Sequence, residues 1–187
     1  MTESQILDDI ELFELKAFSL LAMEIRELLL SANITVVSLP DLEPVVNILD
    51  PEKMRIPHFY VYDAYSPELA ALRAKMKTLK MDEKTEERVL DQLQFEHTEL
   101  EDRIREKLSE QIHPYKKEIN EALVNTATLD ILLAKAQQTI DMQLCKPEIS
   151  TSTTRYIKIF NPQVKEVLWQ EGKKFQAIDL TSSKEPV

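Results

Sequence analysis

Between Ile10 and Ala32 apolar residues recur every three or four positions. Leu12, Leu15, Phe18, Leu21, Ile25 and Leu28 define a stripe that Leu20, Met23, Leu29 and Leu30 widen. This spacing predicts a helix, and the breadth of the stripe predicts packing on more than one side. The stretch "SLPDLEPVVNILDPE" predicts a short helix that begins after Pro40, with Asp41 placed to cap it, and stops before Pro51. Residues 56–65, "IPHFYVYDAY", are aromatic and β-branched, the composition of a short strand or extended segment over a core. Ser66-Pro67-Glu68-Leu69 then reads as a helix start: a serine cap, proline at the first position and an acidic residue after it.

That helix is expected to run towards Leu79, and the charged patch "KMDEKTEERV" after it reads as either a turn or more helix. From Asp82 to Ile112 the pattern narrows. Val89, Leu93, Leu100, Ile104, Leu108 and Ile112 make a thin apolar seam on a charged rod, closer to a coiled-coil stripe than to a globular face. Pro114 predicts a kink or break after His113. Helix is expected to resume through Ile119 and Leu123 and to end before Pro147. Its last turns, "TLDILLAKAQQTIDMQLCKPEI", are aliphatic and small after a long charged stretch. Leu129, Leu132, Leu133, Ala136 and Ile140 are therefore expected to dock on a core, against Leu21, Ile25 and Leu28. Beyond Pro147, Tyr156 to Phe160 reads as β, "QVKEVLWQEG" as a turn or short helix, and "KKFQAIDL" as a last strand. The pattern predicts a mainly α fold with short β segments near residues 58–63, 156–160 and 175–180. Its three expected regions are a helical core over 1–65, long helices over 66–146, and a returning segment over 147–187.

Composition removes whole classes of chemistry. The 187 residues include one glycine, Gly172. Phosphate-cradling loops, dinucleotide-binding turns and nucleophile elbows each need several glycines, because backbone must approach a ligand or adopt positive φ. The single cysteine, Cys145, allows neither an internal disulfide nor a thiolate zinc cage. The acidic start "MTESQILDDIELFE" lacks the features of a secretory signal, and no apolar run has the length of a membrane span, so a cytoplasmic protein is expected. A net charge of -10 opposes broad contact with a polyanion.

The candidate constellations are sparse. Glu110 and His113 have the spacing of a di-iron ligand pair, but a second such pair and two further carboxylates are missing from the sequence. Glu96, His97 and Glu99 could move protons, yet nothing places a nucleophile or an oxyanion donor beside them. His58 reads as a packed or capping residue among aromatics. Lys135 reads as a stem lying along its helix, and Trp169 as core. The run Glu99, Glu101, Asp102, Glu106 and Glu110, interleaved with Arg103, Arg105 and Lys107, reads as a solvated helix face. No catalytic, cofactor-binding or metal-binding residue is expected in this chain.

A resemblance rests on several short motifs. Leu129-Asp130-x-Leu132 with Ala136 downstream and Pro147 after it looks like the end of the returning lever helix in the MutS family of DNA-repair ATPases. "YIKIFNPQVKEVL" followed by "KKFQAIDL" resembles the segment that leads to that family's phosphate loop; Pro162, Val164 and Val167 match, while Asn161 stands where the family has histidine. "FYVYDAYSPELAALR" resembles the opening of the outgoing lever helix. The resemblance covers the chain from about residue 56 onward. It implies a non-catalytic core-and-lever region that couples an ATPase domain, not contained in this chain, to DNA-binding elements of a mismatch-repair-type protein. ATP and magnesium would belong to that domain, whose phosphate loop would follow Val187. The implied partners are the ATPase domain, a second copy of the parent protein, and DNA only weakly through this region. The lever helices would each have roughly 30 residues or more, about 45 Å at 1.5 Å per residue, and the space between Leu79 and Glu96 is too short for a DNA-clamp domain. The alternative is a helical coiled-coil adaptor with no ATPase partner.

Overall fold

The computed structural model describes residues 6–80, 87–151 and 153–183, and it is mainly α. It divides into two compact units, residues 1–130 and 131–187.

The first unit is built on α1, Asp9–Ser31. Its start is a capping box. Asp8 accepts from the Glu11 backbone N–H at 2.8 Å, and the Glu11 side chain accepts from the Asp8 N–H at 3.0 Å. Its end is a left-handed stop: Asn33 has φ of 54°, and the Ile34 N–H returns to the Leu29 carbonyl at 2.9 Å. The buried face carries Leu12, Lys16, Ser19, Leu20, Ala22, Met23 and Leu29. The expected stripe is therefore rotated: Leu21 is 51% exposed and Leu28 67%.

Helix α2, Glu43–Leu49, lies between the expected prolines, and Asp41 accepts from the Glu43 N–H at 2.9 Å. Val45, Val46 and Leu49 are fully or almost fully buried against α1.

No strand forms at 58–63. The segment is extended but joins no sheet, and a short 3-10 turn, Asp63–Tyr65, closes it. Its aromatic, β-branched composition serves burial instead. Phe59, Val61 and Tyr62 enter the core, and the Phe59 ring meets Tyr62 edge-on with centroids 6.0 Å apart.

Helix α3, Pro67–Lys80, packs on the first part of α4, Glu87–Ile112. Glu68 and Leu72 share a groove with Glu99, Leu100 and Arg103, while Met76, Lys77 and Lys80 lie by His97. Rising numbers thus meet falling ones, and the pair is a hairpin. The expectation of a turn or continued helix over 79–96 falls partly on residues 81–86, which lie outside the described residues; helix occupies 79–80 and 87–96. The described part of the outgoing strut has 14 residues, about 21 Å at 1.5 Å per residue, against the roughly 30 residues expected of the whole.

The seam of α4 is not a free coiled-coil face. Leu93, Ile104, Leu108 and Ile112 are buried, the last three inside the main core cluster. Ser109 fastens this half of α4 to the start of α1: its Oγ accepts from the Leu7 N–H at 2.9 Å and donates to the Arg105 carbonyl at 2.8 Å. Pro114 produces a single 3-10 turn, His113–Tyr115, with right-handed helical backbone at Ile112 and Lys116 on either side. Its missing N–H interrupts the i to i−4 ladder without reversing the chain. Helix α5, Lys116–Met142, begins in the first unit, where Ala122 and Leu129 meet the core cluster.

The second unit contains the rest of α5, strand β1 (Thr153–Ile159), helix α6 (Pro162–Gln170) and strand β2 (Ile178–Ser183). The strands pair antiparallel from Thr153 opposite Ser183 to Ile159 opposite Ile178, with a register irregularity between Tyr156 and Ile159. Asn161 caps α6 by accepting from the Gln163 and Val164 N–H groups at 3.0 and 3.2 Å. Gly172, at φ of 69°, ends it, and the Lys173 N–H bonds the Leu168 carbonyl at 2.7 Å. The chain's one glycine is spent on a left-handed helix stop.

Candidate functional site

Among the described residues, the densest polar chemistry is inside the first unit. Lys16 lies on the buried face of α1, one turn after Leu12 and one before Leu20, and is 0% exposed. Its ammonium donates to Asp50 Oδ1 at 3.0 Å and to the Tyr62 hydroxyl at 3.0 Å, and it stands 5.1 Å from the centre of the Tyr62 ring. Asp50, just after α2, is 2% exposed, and its second oxygen accepts from the Arg55 N–H at 2.7 Å. The Tyr62 hydroxyl in turn donates a hydrogen bond to the His58 carbonyl at 2.9 Å. Burial pushes the Asp50 carboxyl up, but the Arg55 N–H and the Lys16 ammonium outweigh it and hold the group below its ordinary range. An ion pair so enclosed costs desolvation and adds little net stability. Its effect is to fix one arrangement of α1, the end of α2 and the 56–65 segment.

A second cluster lies at the base of the α3–α4 hairpin. Arg73 spends its guanidinium on four acceptors. Nε donates to His97 Nε2 at 3.0 Å, Nη1 to the Val61 carbonyl at 2.8 Å and to Asp63, and Nη2 to Glu101 at 2.7 Å. His97 Nε2 is also 3.4 Å from Glu101 Oε1. The planar fork of arginine is what permits this; a lysine offers no such geometry. The two clusters share the 56–65 segment, since Tyr62 belongs to one and its neighbours Val61 and Asp63 to the other. A spine therefore runs from Lys16 in α1 to Tyr62, along the backbone to Val61, and through Arg73 to Glu101 in α4. A displacement of the hairpin must strain this spine or break it.

The expected docking segment fares differently. Leu129 packs on the core and Leu132 is half-buried, but Leu133 is 61% exposed, Ile140 71%, and Ala136 is exposed as well. In the first unit, Leu21 and Leu28 of α1 are exposed as well. An aliphatic helix face need not be covered by its own polypeptide. In the second unit no described residue is buried. Trp169, expected in a core, is exposed along with Tyr156, Ile157, Val164, Val167, Ile178 and Leu180.

Glu110 and His113 are both exposed, as are Lys135 and His58, the last with its ring 5.6 Å from that of Tyr60. Among the described residues no three His, Cys, Asp or Glu side chains gather as a metal site would require, and no helix is long and apolar enough to cross a membrane. Sequence reasoning passed over Lys16, Asp50, Tyr62 and Arg73. The available signal was Lys16 itself, a cation at helical spacing between two core leucines. No protein-family model, curated protein or solved structure matches the chain.

Proposed function

We propose that this chain is the non-catalytic core-and-lever region of a MutS-like ATPase, and that residues 131–183 are a docking unit for that protein's ATPase domain. One observation carries the reading: the second unit buries none of its described residues, while it presents Leu133, Ile140, Tyr156, Ile157, Trp169 and Leu180 to solvent. Apolar burial is the main term set against chain entropy in folding, and a unit without it needs another surface. The ATPase domain is the surface the motif resemblance supplies.

Coupling requires an element with two arrangements whose balance both ends can bias. In this reading the α3–α4 hairpin is the moving strut, and the spine from Lys16 to Glu101 transmits its position to the core. ATP and magnesium bind in the partner domain; the residues here supply geometry. The adaptor alternative needs a free seam on α4, and Ile104, Leu108 and Ile112 are already engaged within the chain.

Hydrogen exchange tests the proposal. In the chain alone, amides of 153–183 should exchange close to intrinsic rates, and addition of a purified MutS-type ATPase domain should protect them. Titration calorimetry of the chain alone should detect no ATP binding. Micromolar ATP binding by the chain, or no protection by the ATPase domain, would overturn the reading.

A further inference from the structure

Helix α1 has a second apolar face that nothing in its unit covers. Ile10, Phe13, Leu21 and Leu28 are all exposed on it, with half-buried Ala17 between. Ile10, Ala17, Leu21 and Leu28 are spaced seven, four and seven residues apart, the rhythm of a seam that accepts one partner helix. The small side chain at Ala17 allows close approach in the middle of the line. The face is therefore distinct from the one that carries Lys16 and the core.

Its charge is one-sided. Glu14 and Glu24 interrupt the apolar line at seam positions, and Glu27 flanks it; all three are exposed, and none makes an ion pair with a described residue. The two cations of α1 point elsewhere. Lys16 is buried, and the Arg26 Nε donates to the Leu39 carbonyl at 3.2 Å. An antiparallel second copy would set Ile10 against Leu28 and Ala17 against Leu21, but it would also set Glu14 against Glu24. Like charges in register oppose that pairing, as does the net charge of -10 on each copy.

We infer that the outer face of α1 is a docking surface for an amphipathic helix of another protein, one whose apolar stripe is interleaved and flanked by lysine or arginine. The leucines and Ile10 supply the apolar contact, and Glu14, Glu24 and Glu27 select the sign of the partner. Long basic side chains suit the seam positions because their stems cover apolar surface while their heads meet the carboxylates.

The test uses the whole chain and two synthetic three-heptad peptides with the same leucine stripe, one flanked by lysines and the other by glutamates. Fluorescence anisotropy at low salt should show the lysine peptide binding at least tenfold more tightly than the glutamate peptide. Leu21→Asp should weaken that binding at least tenfold. The pair Glu14→Lys and Glu24→Lys should reverse the preference between peptides. Circular dichroism should find both variants folded, since the altered side chains are exposed. Failure of the lysine peptide to bind overturns the inference, as do equal affinities for the two peptides or indifference to Leu21→Asp. A dimer in sedimentation equilibrium that Leu21→Asp abolishes would assign the face to a second copy and overturn it as well.

Discussion

The ammonium of Lys16 and the carboxylate of Asp50 meet at 3.0 Å in a place that water does not reach, although 34 residues separate them in sequence. Breaking such a pair from one side leaves a buried charge without a counterion. Lys16→Met should therefore cost about 3–5 kcal/mol. The double variant Lys16→Met with Asp50→Leu should lose clearly less than the sum of the single changes. Urea unfolding followed by far-ultraviolet circular dichroism provides the comparison, and strict additivity would show that the two side chains do not act as a unit.

Two groups set opposite edges of the pH range. The Asp50 carboxyl is held below its ordinary value near 3.8, so its contribution is present above that value and is lost as pH falls through the lower, folded one. Burial raises the Tyr65 phenol above its ordinary value near 10. Tyr65 donates to the Ile48 carbonyl at 3.0 Å, so its contribution is complete below pH 10 and is lost as pH rises towards the folded value. Denaturation midpoints measured against pH should fall on the acid side below pH 4 and on the alkaline side above pH 10. Tyr65→Phe should flatten the alkaline limb and leave the acid limb unchanged.

Arg73 holds the hairpin base through contacts that are only partly shielded from solvent, its side chain being 26% exposed. Arg73→Ala should cost about 1–3 kcal/mol, the range for hydrogen bonds to charged groups discounted for solvent screening. Arg73→Lys should recover less than half, because one ammonium cannot serve His97, Val61, Asp63 and Glu101 together. Hydrogen exchange should quicken in α3 and in 56–65 in both variants, while the centre of α1 keeps its protection.

Leucines of equal size should differ sharply by position. Leu49 is fully buried, and Leu49→Ala should cost about 2–5 kcal/mol. Leu133→Ala, at a solvent-facing site, should stay within about 0.5 kcal/mol. Leu100, which packs on the core, should fall between them. The sequence pattern alone ranks Leu133 above Leu100, and thermal melts of the three variants decide between the two orders.

Helix boundaries were legible because their signals are local. Asp8 with Glu11, Ser66 before Pro67 and Asn161 before Pro162 stand where a capping rule puts them, and Asp41 stands one residue ahead of the cap position of α2, held by Leu42. What faces what was less legible. Apolar character records that a side chain prefers burial, not which surface buries it, and the aliphatic end of α5 carries no such address in its pattern. In 56–65 the residues that favour strands are the same ones that fill cores. The polar spine escaped notice because its members lie far apart in the chain: an isolated lysine, an aspartate before a proline and one arginine among many. Only the fold makes them neighbours.

The enclosure of Lys16 also makes it a clock. Every other lysine among the described residues is exposed, so an amine-acylating reagent has ready access to all of them. Lys16 can be acylated only when the first unit opens far enough to release its amine from Asp50 and Tyr62. Mass spectrometry of the peptide that carries it would report the opening of the core at this one site without denaturant, as a rate when acylation outpaces reclosing and as an open population when it does not. Any partner that stiffens the hairpin would appear as a slowing of that one chemical reaction.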